Sequence, residues 1–211
     1  MARFNSPYTN SDDVFVLLLS SKAGGTGLNL IGASRILLFD MDWNPAHDLQ
    51  AMARVWRDGQ KRKVHVYRLA TAGSIEEKIF QRQVTKQGLG GGVLTDTVAD
   101  GSVQKNHFTS DELKDLFSFD HDAKCNTHEL INCECKGDGS NIAALEVDIP
   151  QHTPSNEKGV EMQDLMRWKH IDPSNTLNVQ NSLHADPILQ GSLPYLSYVF
   201  QNEVIASAEA T

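Results

Sequence analysis

The chain has 211 residues, and its 27 Asp and Glu residues outnumber its 19 Lys and Arg residues, giving a formal net charge of −8. Hydrophobic residues make up 40% and charged residues 22%, which excludes a fully disordered or fibrous chain. The longest apolar run, at 14–19, is far shorter than the roughly 20 residues of a membrane-spanning helix, so we predict no membrane partner.

The charge is distributed unevenly along the chain. Residues 1–92 carry 12 Lys and Arg against 8 Asp and Glu, a net charge of +4, and the remaining residues have a net charge of −12. Glycines at 88 and 90–92 mark the change and predict a flexible joint. We therefore predict two domains, at 1–92 and 93–211, and analyse them separately.

In the first domain, strand and helix signals alternate. Continuous apolar runs at 14–19, 36–39 and 64–69 predict buried strands. Asn44 followed by Pro45 predicts the cap and first turn of a helix over 46–57. Ser74 and Glu77 form a capping box that predicts a helix over 75–86. This order is typical of an α/β fold with a parallel sheet.

A glycine loop follows the first predicted strand, over residues 20–30. Gly25 and Gly27 allow backbone N–H groups to approach an anion, and nearby side chains add hydrogen-bond donors and positive charge: Ser20, Ser21, Lys22 and Thr26. The loop is not a Walker A motif, because its lysine precedes the glycines, and Leu30 breaks the dinucleotide-binding fingerprint. A phosphate-facing loop and a plain tight turn both fit the composition.

The helix predicted over 46–57 has two distinct faces. Apolar side chains at helical spacing predict its buried stripe: Leu49, Met52, Ala53 and Trp56. Gln50, Arg54 and Arg57 lie on a second stripe. Two neighbouring guanidinium groups repel each other unless they share an anion, and a phosphate suits both. The alternative is a solvated face on which these arginines pair with local acids such as Asp58.

The segments 21–30, 40–45 and 50–60 together resemble the second RecA-like lobe of Swi/Snf-type ATPases, which are superfamily-two DNA translocases. The resemblance is continuous over 14–87 and is greatest to the recombination-repair, or Rad-type, branch, whose members assist the strand-exchange recombinase. It implies an α/β fold with a partial RecA-like P-loop-NTPase second lobe, a parallel sheet with flanking helices. A small, mainly helical, zinc-stabilised C-terminal domain would follow.

The resemblance also implies roles for individual residues. Arg54 and Arg57 would act as arginine fingers on ATP, and the loop at 20–29 would contact the DNA backbone through Ser20, Ser21, Lys22 and Thr26. Coupling of ATP to DNA would involve Gln50, Gly25, Gly27 and Asn29. Two interpretations of Lys61 and Arg62, in the basic run 61–63, remain open: phosphate contact with DNA, or a solvated turn.

In the second domain, a capped helix is predicted over 108–117, with Leu113, Leu116 and Phe117 on its apolar face. Four soft or imidazole ligands follow within eleven residues: Cys125, His128, Cys133 and Cys135. This cluster favours zinc, with free surface thiols as the alternative. The resemblance implies a structural zinc ion bound by His128, Cys133 and Cys135, with either Cys125 or His170 as fourth ligand. Residues 136–160 are predicted to form a flexible linker.

The sequence contains neither a Walker A motif nor the Asp-Glu box that places Mg²⁺. We therefore expect a C-terminal fragment, a partial gene model or a truncated isoform of a nuclear DNA-dependent ATPase, inactive alone, acting in homologous recombination and DNA repair. The partners implied are double-stranded DNA, a strand-exchange recombinase and a first ATPase lobe, with which ATP and Mg²⁺ would bind. The alternative is a non-catalytic, zinc-stabilised DNA- or protein-binding regulatory module.

Overall fold

The computed structural model of the chain describes residues 2–6, 14–20, 27–90, 110–139, 162–175 and 186–202. The chain forms two compact units, residues 1–71 and 72–211. This division precedes helix α3 (Ile75–Gly90), which contacts helices that lie beyond residue 110. The backbone at Gly88 and Gly90 is helical, in contrast to the flexible joint expected there, and Gly91 and Gly92 lie outside the described residues.

The first unit contains a two-stranded parallel sheet with a helix between its strands. Strand β1 (Arg35–Leu38) pairs with strand β2 (His65–Arg68), with Ile36 opposite Val66. Helix α1 (Ala2–Asn5) precedes them, and helix α2 (Pro45–Met52) connects them. The parallel pairing predicted for the second and third apolar runs is confirmed.

The predicted strand at 14–19 is not formed. Residues 14–20 have irregular backbone, and Phe15 and Leu18 are 85% and 90% exposed. An apolar run becomes a buried strand only when neighbouring strands pair with it and other elements cover its faces. Neither described strand of this unit pairs with the segment. Leu37 and Val66 are also exposed, so β1 and β2 are not buried on both faces either.

Helix α2 begins as predicted and ends early. The Asn44 side chain accepts a hydrogen bond from the Ala46 N–H at 3.1 Å, and Pro45 occupies the first turn. The predicted extension to residue 57 is wrong. Beyond Met52 the backbone tightens into turns, because the Arg54 N–H bonds to the Ala51 carbonyl at 3.2 Å and the Val55 N–H bonds to the Met52 carbonyl at 3.1 Å, each three residues back. The carbonyl oxygen of Arg54 accepts the Leu30 N–H at 2.9 Å.

The predicted buried stripe of α2 is also displaced. The buried positions are Asp48, Ala51 and Val55, whereas Ala53 and Trp56 are exposed. Leu49 and Met52 are only half-buried. The periodicity of a continuous helix therefore does not describe residues 53–57, because they form turns beyond the end of α2.

The second unit is mainly helical, with one small sheet. After α3 its elements are helices α4 (Ser110–Leu116), α5 (Asn126–Leu130), α6 (Met162–Arg167) and α7 (Pro187–Ser192), a 3₁₀ turn at Leu193–Tyr195, and strands β3 (Lys169–Ile171) and β4 (Val199–Gln201). The two strands pair antiparallel, with Ile171 opposite Val199. Val84, Leu165 and Ile171 are completely buried and form its core.

Two predictions for this unit have different outcomes. The helix predicted near 108–117 is present, but Leu113 and Phe117 on its apolar face are exposed. Most of the linker predicted at 136–160 lies outside the described residues.

Among the helices that the structure describes, none has the length and apolar character needed to span a membrane.

Candidate functional site

Four of the five predicted metal ligands come together in the second unit. Potential ligand atoms of four side chains all lie within 4.8 Å of one another: His128, Cys133, Cys135 and His170. The Nε2 atom of His128 lies 3.1 Å from the Cys135 Sγ, and the Nδ1 atom of His170 lies 3.4 Å from the same sulfur. Ligand atoms around tetrahedral zinc are separated by about 3.3–3.8 Å, so these separations are close to that geometry.

Three local structures bring these side chains together. His128 lies in α5, and His170 is the central residue of β3. The loop carrying Cys133 and Cys135 returns to β3, where Gly139 N–H donates to the His170 carbonyl at 2.9 Å and Asp172 N–H donates to the Gly137 carbonyl at 2.8 Å. Gly137 has φ +64°, a left-handed conformation that favours glycine. The loop and the strand therefore align ligands that are 35 residues apart.

The orientation of the His170 ring is fixed from outside the cluster. Its Nε2–H donates to the Leu165 carbonyl at 2.6 Å, which leaves the Nδ1 lone pair directed toward Cys135. A backbone acceptor on the far nitrogen is the usual way in which a metal-binding histidine is held in one tautomer. The arrangement therefore has an outer hydrogen bond suited to a metal ligand.

Aromatic rings enclose the two imidazoles. The Tyr198 ring lies 4.7 Å from His128, and the Phe200 ring lies 4.9 Å from His170. Burial lowers the pKa of both histidines, and for His128 the neighbouring His170 lowers it further. Neutral imidazole is the form that binds metal. Tyr198 and Phe200, from the C-terminal segment, thus line the cluster directly.

The environments of Cys133 and Cys125 differ. Burial raises the pKa of the Cys133 thiol, and the adjacent Cys135 contributes. A bound cation would oppose this by stabilising the thiolate. Cys125 lies outside the group of four: its Sγ accepts the His128 N–H at 3.4 Å as the N-cap of α5 and donates to the Glu77 Oε1 at 3.5 Å. Burial, with the Glu77 carboxylate, raises the pKa of Cys125 to about 12.

The arginine-bearing segment of the first unit follows α2 as a series of turns. Gln50 is exposed in the helix, Arg54 is half-buried, and Arg57 is exposed in the turn region. Among the described residues the Arg57 and Asp58 side chains form no ion pair, so the pairing with Asp58 considered as an alternative is not observed for Arg57. Because the helix ends at Met52, Gln50 and the arginines do not share one continuous helical face.

The end of the glycine loop is attached to this arginine-bearing segment. The Gln60 Nε2 donates to the carbonyls of Ala33, Val55 and Ile31 at 2.8, 3.2 and 3.3 Å. The Arg62 guanidinium donates to the carbonyls of Ile31 and Gly32. From the sequence, Arg62 is expected to contact DNA phosphate or to lie in a solvated turn. Its guanidinium instead donates hydrogen bonds to the backbone of its own unit. The sequence pattern gives no indication of this role for Gln60.

Other predicted site residues are only partly described. The Asn29 carbonyl accepts from the Asn5 side chain at 2.8 Å, and its side chain accepts the Ile31 N–H at 3.3 Å. Gly27 has φ +122° in an open position. Ser20 and Lys61 are exposed. Four predicted loop residues lie outside the described residues: Ser21, Lys22, Gly25 and Thr26.

Sequence reasoning missed an ion pair between Asp48 of α2 and Arg68 of β2. Asp48 is 2% exposed, and its Oδ2 lies 3.4 Å from the Arg68 Nη2 at the end of β2. Its Oδ1 accepts the Asp42 N–H at 3.2 Å. Burial lowers the pKa of Arg68, and the Asp48 carboxylate opposes that shift. Asp48 therefore fixes the turn that leads into the helix.

Comparison with known proteins gives consistent matches over both units. The helicase conserved C-terminal domain matches residues 1–59. "DNA repair and recombination protein RAD54B" of Homo sapiens is 46% identical over 209 residues, covering 94% of this chain and 22% of that protein. The protein of the same name from Gallus gallus is 42% identical, covering 97% and 22%. "DNA repair and recombination protein RAD54-like" of Drosophila erecta is 44% identical, covering 98% and 24%. The chain thus spans less than a quarter of the length of these relatives.

Proposed function

The chain belongs to the family of RAD54-like DNA repair and recombination proteins, and we propose that it supplies the arginine-bearing and DNA-coupling part of a DNA-dependent ATPase. That ATPase would translocate on double-stranded DNA in homologous recombination and repair, in the nucleus. The single observation that carries the proposal is the 46% identity to the human relative across both units, because it includes the matched helicase domain and the segment beyond it.

Arg57 is the best-supported catalytic residue of this proposal. Its guanidinium is exposed and free of ion pairs among the described residues, while the backbone next to it is held by Leu30 and Gln60. A rigid backbone carrying an unpaired guanidinium suits a group that stabilises charge on a phosphate supplied from elsewhere. ATP and Mg²⁺ would come with a first ATPase lobe, and Arg54 and Gln50 would assist from the same segment.

A chimera tests this function. This chain replaces the matching 22% of the human relative, and DNA-stimulated ATP hydrolysis is measured. The chimera should hydrolyse ATP, and Arg57→Ala should reduce the rate by about 10³-fold or more. Arg35→Ala, an exposed arginine in β1, is the matched control and should have little effect. An inactive chimera, or an active Arg57→Ala variant, would refute the proposal. The 211-residue chain alone should show no turnover.

The four-residue cluster is proposed to bind one structural Zn²⁺ ion. Two thiolates and two imidazoles are a preferred zinc donor set, and all four positions are filled by protein, which is typical of structural sites. The ion would supply a cross-link between α5, the Cys133–Cys135 loop and β3. Zinc-loaded chain should contain about one ion per molecule, and removal by a chelator should lower the stability of the second unit.

The second candidate function is a non-catalytic module that binds DNA. It is favoured by the net charge of +4 on residues 1–92 and by the exposed Lys61. Salt-dependent DNA binding by the chain alone tests it: Lys61→Ala should reduce the slope of log K against log salt by about 0.9 if that lysine contacts one phosphate. Arg62→Ala is a poor probe, because Arg62 holds the backbone of its own unit. Absence of binding at low salt excludes this function.

The recombinase partner rests on the family alone. The names of the relatives place those proteins in recombination, and we extend that process to this chain. Co-purification of the chain with a strand-exchange recombinase, at moderate salt, is the corresponding test.

A further inference from the structure

We propose that Glu77 is the positioning residue of the metal centre, through its buried carboxylate, which fixes the first turn of α5 and so the placement of His128. The inference rests on the zinc site proposed above and adds a residue that is not a ligand. Glu77 is 4% exposed and lies in the first turn of α3, 50 residues before the helix that it holds.

The two carboxylate oxygens of Glu77 serve two different elements. Its Oε2 accepts the Gly73 N–H at 2.7 Å, at the start of its own helix. Its Oε1 accepts the Thr127 N–H at 2.6 Å and the Thr127 hydroxyl at 2.8 Å. The Cys125 thiol donates to the same oxygen at 3.5 Å. Four donors thus converge on one carboxylate, and three of them belong to the start of α5.

These contacts reach His128 through one further hydrogen bond. The Cys125 sulfur that donates to Glu77 also accepts the His128 N–H at 3.4 Å. Thr127 is 1% exposed, and its hydroxyl additionally accepts from the Gln81 side chain at 3.3 Å. The backbone leading into His128 is therefore held to α3, which limits the positions that its ring can occupy opposite Cys135.

The sequence pattern explains only half of this arrangement. Ser74 and Glu77 have capping-box spacing, and a capping glutamate needs one oxygen for the start of its own helix. The second oxygen is committed to α5. Replacement by Gln keeps the size of the side chain but turns one oxygen into an N–H₂ donor. That group would then face either the Gly73 N–H or the two Thr127 donors, since all of these groups donate to Glu77.

Metal affinity of the full chain is the first measurement. Zinc dissociation constants are obtained by competition with a chromophoric chelator for the wild type, Glu77→Gln and Thr127→Val. Glu77→Gln should weaken zinc binding by about tenfold, the lower end of the range for residues that orient ligands. Thr127→Val keeps the backbone N–H bond to Glu77 and removes the hydroxyl, with its bonds to Glu77 and Gln81, so its affinity should lie between those of the wild type and Glu77→Gln. Glu129→Gln is the matched control, with the same charge change on an exposed residue of α5.

Cobalt spectroscopy separates positioning from a general loss of stability. The Co²⁺-loaded wild type should show the d–d bands of a tetrahedral thiolate–imidazole site, and Glu77→Gln should shift or weaken them at full metal occupancy. A residue that merely stabilised the fold would lower the urea midpoint of the metal-free chain and leave these bands unchanged. Failure of the wild type to bind either metal would refute the zinc site and the inference together. Tight wild-type binding with unchanged affinity and spectrum in Glu77→Gln would refute the inference alone.

Discussion

The ion pair between the buried Asp48 and the half-buried Arg68 gives a sharp prediction for the stability of the first unit. Asp48→Asn keeps the shape of the side chain and removes its charge. At the observed 3.4 Å separation, the Coulomb attraction at an effective dielectric constant of about 20 is about 5 kcal/mol. The desolvation cost of both groups offsets part of that attraction, but removing the Asp48 charge takes this attraction away from the largely buried Arg68 cation, and we expect a loss of about 3 kcal/mol.

Urea unfolding measures this loss. With a denaturant slope of about 2 kcal/mol per M, the midpoint should fall by about 1.5 M. Tryptophan fluorescence in a Trp168→Phe background reports the first unit, because Trp43 and Trp56 then remain, both in that unit. Asp58→Asn provides the control, since Asp58 is exposed and the charge change is identical.

A second substitution completes the test of the ion pair. Arg68→Met in the Asp48→Asn background removes the cation that has lost the Asp48 carboxylate and should recover at least about 1 kcal/mol. The reasoning is refuted if Asp48→Asn moves the midpoint no further than Asp58→Asn does. It is equally refuted if the double variant is less stable than Asp48→Asn alone.

Three further predictions concern the second unit. Cys125→Ala should retain about one zinc ion per chain, whereas Cys135→Ala should lose it, because Cys135 belongs to the group of four ligands and Cys125 does not. Metal analysis of the two purified variants tests this. Gly137→Ala should lower the free energy of unfolding in urea by about 1–3 kcal/mol, because the Gly137 φ is +64° and an added Cβ would lie 2.9 Å from the Asp172 Cβ. Gly191→Ala is the control and should not lower it, because an added Cβ there would lie in open space. The metal-free second unit should lose stability as the pH falls below 6.5. The folded state lowers the pKa values of His128 and His170, so as the pH falls these histidines take up protons in the unfolded chain before they do so in the folded one. A flat pH profile of the unfolding free energy would contradict this.

Local signals in the sequence are sufficient to predict several elements. The cap of α2 is predictable because the Asn44 side chain bonds to the N–H of a residue only two positions later. The Ser74 hydroxyl likewise accepts the Glu76 N–H at 3.1 Å. The β-branched and apolar runs that become β1 and β2 are recognisable for the same reason. The close spacing of His128, Cys133 and Cys135 indicates a cluster of ligands in the same way, because these residues are near neighbours in the chain.

Contacts between distant segments account for what the sequence does not reveal. After Met52 the chain forms turns, and there the Arg54 carbonyl accepts the Leu30 N–H, from a residue 24 positions earlier in the chain. His170, and not Cys125, joins the ligand group because β3 brings it beside Cys135, while Glu77 engages the Cys125 thiol. Periodicity and spacing are local properties of the sequence, so neither can predict whether Cys125 or His170 lies beside the other ligands in the folded chain.

X-ray absorption at the zinc edge of the zinc-loaded 211-residue chain tests the proposed metal centre most directly. We expect two sulfur ligands at about 2.3 Å and two imidazole nitrogens at about 2.0 Å, from His128, Cys133, Cys135 and His170. His170→Ala should reduce the nitrogen count by one and leave both sulfurs in place. Three sulfur ligands, which would bring Cys125 into the site, or a first shell of water oxygens would contradict it.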